Sequence, residues 1–193
     1  MNPITHLLAS WSLAEASDLE HSDRNLVTWC GVLPDLDGLG AFADFGNRML
    51  GRPESFWYAQ YHHALLHGAF GAVLIAGTLA TRASRRGRVF LFGIAAVHLH
   101  LLCDLVGSRG PDTADVWPIR YLSPFSERLS IAWSGQWALN AWPNIAFTIA
   151  LVLFVFYRAI SVGHSPVSLF SSRANEAFVA TVRSRWHRMA GSA

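Results

Sequence analysis

The chain has 193 residues, of which 52% are apolar and only 15% charged, with a mean hydropathy of +0.27. That length suits one domain, or one domain with a membrane anchor, and the charge content falls below the ~25% usual in soluble domains. A formal net charge of +2, with no basic stripe interleaved with aromatic residues, argues against nucleic acid as a partner.

The first predicted element is a helix over residues 3–16: Asn2 suits the cap, Pro3 the first turn, and Ile4, Leu7, Leu8 and Trp11 share a face. His6 lies opposite, beside Ala9, Ser10 and Leu13, so both faces are apolar and His6 is expected inside. The start lacks a basic segment before its apolar residues, and no cleavable signal peptide is predicted. Residues 15–24 are acidic and polar and read as exposed. An apolar run from Leu26 to Leu33 ends in PDLDGLG, where Pro34 and Gly38 mark a turn. Residues 40–56 read as a loop or a short helix.

Three longer apolar segments follow, at about 64–81, 89–106 and 138–160. The first two have short apolar cores, which fit either a buried helix or a membrane span. The third, ALNAWPNIAFTIALVLFVFYRAI, has Trp137 and Trp142 at one end and Tyr157 and Arg158 at the other, and is the best membrane candidate. A loop rich in Gly, Pro and Trp separates the second from the third. The expected organisation is a helical domain over 1–161, with about three membrane-candidate helices, and a polar basic tail over 162–193. Cys30 and Cys103 make no disulfide framework and read as buried free thiols.

Charge is distributed unevenly. RASRRGR (82–88) and the tail are basic, whereas residues 1–60 carry eight acids against three arginines. If the apolar runs span a bilayer, the basic ends face the cytoplasm. His62, His63 and His67 then open the first run, and His98, His100 and Asp104 close the second, at the opposite end. The polar cluster assembles at one end of the bundle.

His100 and Asp104 are four apart and project from one helix face, as do His63 and His67. Imidazole nitrogen and carboxylate oxygen are ligands suited to zinc and related divalent ions. Asp35 of PDLD is a further ligand candidate, and His6 can serve a second ion bridged by Asp104. Taken singly, His6 reads as a core histidine, the HxxxD pair as a structural hydrogen bond, and PDLDG as a turn. Their convergence points to metal. His98 lies about 200° round the helix from His100 and is expected to pack elsewhere. His21, His164 and His187 sit in polar segments and read as exposed. No dinucleotide-binding or phosphate-binding glycine loop, CxxC pair or nucleophile elbow is present. Arg109 and Arg120, after Asp104, read either as phosphate contacts or as solvated loop residues.

The order TH (5–6), PDLD (34–37), HHALLHG (62–68), HLLCD (100–104) and the WP…SPFS loop (117–126) resembles the bacterial inner-membrane metal-dependent hydrolase family of the YdjM type. That family is similar in motif order to the zinc-dependent phospholipase C fold. The resemblance implies that His6, Asp35, His67, His100 and Asp104 bind metal, with Asp37 and His62 or His63 as further or supporting ligands.

The expectation is therefore an all-α, membrane-embedded bundle in the bacterial inner membrane, holding one or two divalent ions, most simply Zn2+. Its ligands are His6, Asp35, His62, His67, His100 and Asp104, and Asp37 is the candidate base. The expected activity is hydrolysis of a phosphoester or ester, on a small-molecule or lipid-derived substrate. The alternative is a non-catalytic membrane protein with a structural or sensory metal site.

Overall fold

A computed structural model describes residues 1–53, 55–62 and 65–191. Helix α1 (Pro3–Glu15) starts where Asn2 Oδ1 accepts from the Thr5 amide at 2.9 Å. Both of its faces are covered, with His6, Ala9, Ser10, Trp11 and Ala14 all buried. It packs on α2 (His21–Cys30), α6 (Arg86–Gly107) and α7 (Trp142–Ser161).

Helices α5 (Ala69–Ala80) and α6 form an antiparallel pair in which small residues set the spacing. A Cβ at Gly93 would come within 3.0 Å of Ala76 Cβ and 2.8 Å of Cys30 Sγ, so the three elements meet closely there. Val27, Cys30, Ala72, Ile75, Ala76, Val89, Ala96, Val97 and Leu101 form the main core. Both cysteines are free and buried. Asp23 is also buried, because its carboxylate accepts the Ser84 and Arg85 amides at 2.9 Å each and caps the start of α6. The expectation that residues 15–24 are exposed fails at Asp23 and again at Glu15.

The 3-10 segment Leu33–Leu39 carries PDLD and leads into α3 (Gly40–Met49), with α4 (Trp57–Tyr61) beyond. The connection between α6 and α7 contains a two-residue hairpin, β1 (Ile119–Arg120) with β2 (Ser130–Ile131). It seals the end of α6: buried Gln136 donates to the carbonyls of Asp104 and Leu105, and Asn144 donates to that of Gly107.

Two helices, α6 and α7, are long and apolar enough to cross a membrane. Helix α5 has 12 residues, about 18 Å at 1.5 Å each, against a hydrocarbon core of about 30 Å. The first apolar run is shortened because α5 starts only after Gly68, whose extended backbone lies against the Tyr121 carbonyl. Helix α7 buries Asn144, Val155 and Ala159 and turns Ile145, Ile149 and Leu153 outward. The polar basic tail is helical over most of its described length. A 3-10 turn (Pro166–Leu169) precedes α8 (Ser172–Ala190), which packs on that turn and on α7 with Asn175 and Val179 buried.

Candidate metal centre

Four elements deliver the polar cluster: α1 brings His6, the 3-10 segment Asp35 and Asp37, the residues before α5 His62 and His67, and the last turns of α6 His100 and Asp104. His6, His67, His100 and Asp104 are buried. His63 lies outside the described residues.

Hydrogen bonds assign the tautomers. His100 Nδ1 donates to the Gly31 carbonyl at 2.8 Å, and His67 Nδ1 donates to Asp37 Oδ2 at 3.0 Å. When neutral, each ring presents the lone pair of Nε2, and these two nitrogens face each other at 3.1 Å. Asp104 Oδ2 lies 3.1 Å from His100 Nε2 and 3.7 Å from His67 Nε2. Asp35 Oδ1 stands 3.7 Å from the first and 4.0 Å from the second. Acceptor atoms thus gather in two overlapping sets, Asp35–His67–His100 and His6–His100–Asp104, each compact enough to hold a cation.

His6 extends the cluster. Its ring stacks on His100 with centroids 3.7 Å apart, and its Nε2 lies 3.1 Å from Asp104 Oδ1. His6 Nδ1 has no hydrogen-bond partner, Nε2 has only the Asp104 carboxylate beside it, and Asp35 Oδ2 is buried without one. Burial, with the neighbouring His100, holds the His6 imidazole below its ordinary value, and burial does the same for His67. Neutral imidazoles keep the lone pair that a metal requires. The Met1 amino group contacts Asp104 Oδ1, and Ser108 Oγ donates to the same oxygen at 2.7 Å. The cluster resolves into overlapping ligand groups, His6–His100–Asp104 and Asp35–His67–His100, with a third, Asp37–His62–His67, behind them.

Both carboxylate oxygens of Asp37, the expected base, are already engaged by histidines and a backbone amide. Oδ1 accepts from His62 Nδ1 at 3.0 Å, while Oδ2 accepts from His67 Nδ1 and from the Leu66 amide at 3.3 Å. Burial alone would raise this carboxyl; the hydrogen bonds from His62 and His67 bring it below the usual carboxylate range. Asp37 orients His67, as carboxylates behind metal-binding histidines do. His62, tied to Asp37 by Nδ1, stands beside the central cluster rather than in it.

A cavity of about 530 Å³ opens over the cluster. Asp35, Asp104, Ser108 and His62 line its polar side, and Val32, Leu36, Leu39, Phe42 and Leu139 its apolar side. Tyr58 also lines it, stacked on His62 with ring centroids 4.4 Å apart. Burial, with the Asp35 carboxylate next in effect, pushes the Tyr58 hydroxyl up to about 12, so it stays protonated and can donate. Tyr58 and Ser108 were not foreseen, although the aromatic run WYAQY directly before the histidines marked the place.

Neither Arg109 nor Arg120 lines this cavity; Arg120 instead pairs with Glu127 at 3.2 Å on the surface. His98 turns away as expected, with Nδ1 on the Ile94 carbonyl and Nε2 on the Tyr121 hydroxyl, both at 2.8 Å. His164 is not exposed: its Nδ1 lies 2.7 Å from the Glu15 carboxylate. No family model, curated protein or solved structure matches the chain.

Proposed function

We propose that the protein is a membrane-embedded, metal-dependent hydrolase of the kind its motif order resembles, with a zinc-dependent phospholipase C-like bundle and one or two zinc ions. The observation that carries this reading is the pair of overlapping ligand groups, Asp35–His67–His100 and His6–His100–Asp104, beneath an open cavity. A site built for structure alone closes with four protein ligands, whereas a catalytic one leaves room for water and substrate.

His67, His100, Asp104 and Asp35 hold the first ion in this reading; His6 joins Asp104 at a second. When bound, the ion supplies positive charge that polarises a phosphoryl or carbonyl oxygen and favours ionisation of water. Asp37 and the Gly31 carbonyl keep the two imidazoles oriented. Asp35 Oδ2, buried and unpartnered, is the acceptor placed to take a proton. Tyr58 donates a hydrogen bond to a substrate oxygen. The apolar side of the cavity takes the hydrocarbon part of a phosphoester or ester. Helices α6 and α7 anchor the chain in the bacterial inner membrane.

The experiment is a hydrolysis screen of metal-loaded and metal-stripped protein on phosphodiesters, phosphomonoesters and carboxylic esters with short and long chains. Turnover that depends on metal and disappears in Asp104→Asn supports the reading. Tight metal without turnover and without an exchangeable water contradicts it and favours a structural or sensory site. Release of the chain from membranes by alkaline carbonate contradicts the anchoring.

A further inference from the structure

Helix α3 carries an apolar stripe that nothing in the fold covers. Leu39, Phe42, Phe45 and Met49 recur at helical spacing on one face, and the last three are 74%, 63% and 71% exposed. The opposite face holds the helix in place. A Cβ at Gly40 would meet the Trp57 and Tyr58 backbone at 2.8 Å, so α3 and α4 touch there. Asp44 accepts the Trp57 amide at 3.0 Å, the Tyr58 amide at 2.9 Å and the Ser55 hydroxyl at 2.7 Å. Polar anchors thus turn the stripe outward.

The position of α3 identifies what covers it. Helices α6 and α7 reach a common end, where Asn144 near the start of α7 donates to the Gly107 carbonyl at the end of α6. Trp142, the first residue of α7, is 77% exposed there, as side chains of the membrane–water interface are. Leu39 and Phe42 line the same cavity as Asp104 and Ser108 from the end of α6 and Leu139 from just before α7. The stripe therefore lies at the level where the two apolar helices stop. An amphipathic helix at that level lies along the bilayer surface with its apolar face among the upper acyl chains.

We infer that α3 is a membrane-surface contact, seated in the lipid interface beside the mouth of the cavity. The inference rests on the membrane reading of α6 and α7. One consequence is that the cavity wall formed by Leu39 and Phe42 opens toward the lipid interface.

The test uses the full chain reconstituted in phosphatidylethanolamine–phosphatidylglycerol vesicles. Single cysteines replace Phe42, Phe45 and Met49 on α3, Leu153 on the outer face of α7, and Asp112 in an exposed loop. Each carries an environment-sensitive fluorophore, and wild type, whose two cysteines are buried, is the blank. Quenching is read from lipids bearing a nitroxide near the headgroup, from lipids bearing it at the chain end, and from aqueous iodide. The expected result is several-fold stronger quenching by the shallow nitroxide at 42, 45 and 49 than at 112, with position 153 quenched by the deep one. If 153 is quenched by lipid while the α3 positions respond to iodide like 112, the inference fails and the membrane reading stands. If 153 escapes lipid quenching, both fail. Shielding of the α3 positions from lipid and iodide alike, with cross-linking between copies, would assign the stripe to a second copy and overturn the inference.

Discussion

The two ends of helix α1 hold the two polar clusters of the bundle, and they are built on opposite principles. At the Glu15 end a single carboxylate is surrounded by two arginines and a histidine. Arg24 lies 3.0 Å from one oxygen with His164 at 2.7 Å, and Arg158 lies 2.7 Å from the other. Burial alone would raise this carboxyl, yet the hydrogen bonds from His164 and Arg158 bring it down to about 2. The His6 end has the reverse excess. Lone pairs and carboxylate oxygens from several elements point at one another, the buried Asp104 and the half-buried Asp35 face three histidines, and His6 Nδ1 has no hydrogen-bond partner. One knot is complete within the chain; at the other the Met1 amino group reaches, of the ligand atoms, only Asp104 Oδ1, and the facing Nε2 atoms of His67 and His100 and Asp35 Oδ2 are left for a cation from outside. Buried polar atoms without partners cost free energy, and a bound cation would relieve those that the Met1 amino group leaves unsatisfied.

The contrast breaks most sharply at Asp104. Asp104→Asn should strip most metal from the protein, because both oxygens face imidazoles of the cluster, and metal analysis of the purified variant reads the loss. Wild-type content would contradict a shared ligand. Glu15→Gln should do the opposite: metal stays, and unfolding stability falls by about 2–3 kcal/mol, since the arginines and His164 lose a charged partner. Here pH sharpens the comparison. The Glu15 carboxyl lies at about 2 in the fold against an ordinary 4.5. Its contribution is present in full above the ordinary value and disappears as pH falls toward the folded one. The stability gap between wild type and Glu15→Gln should therefore be constant above about pH 5 and close as the pH drops toward 2. A gap that widens on acidification would be inconsistent with the pairing.

Asp37→Asn tests the support rather than the centre. It should weaken metal binding by about 10–100-fold while leaving the stoichiometry unchanged, as loss of an orienting carboxylate does. Complete loss of metal would place Asp37 among the direct ligands. The smallest effect belongs to His98→Ala, which should cost about 1 kcal/mol for its bond to Tyr121 and leave metal content at the wild-type level. His100→Ala, two residues away, should lose metal. Equal behaviour of the two would mean that the helix presents a different face.

How much of this was legible before the structure depended on the range of the contacts. His100 and Asp104 could be paired, and His98 set apart, because one helical turn fixes their directions. His6 could be placed inside because α1 is apolar all round. What failed was reading exposure from local polarity. Glu15 looked solvated, yet the Arg158 and His164 that neutralise it come from the far end of the chain. Asp23 looked solvated too, but it caps α6 across the bundle. The position of Asp37 was hidden for the same reason: PDLD alone does not show which carboxylate faces the cluster and which lies behind His67. Helix α8 was missed because a basic run without a clear apolar stripe resembles a tail, although Ser171 caps it through the Ala174 amide.

The whole account rests on a cation that joins the acceptors which the Met1 amino group does not reach. X-ray absorption at the zinc edge, on the 193-residue chain loaded with zinc and dialysed to equilibrium, addresses it directly. At least one equivalent per chain, in a shell of nitrogen and oxygen with imidazole scattering that is lost in Asp104→Asn, is the predicted result. A protein that stays folded and binds no ion, or binds one through sulfur, would contradict it.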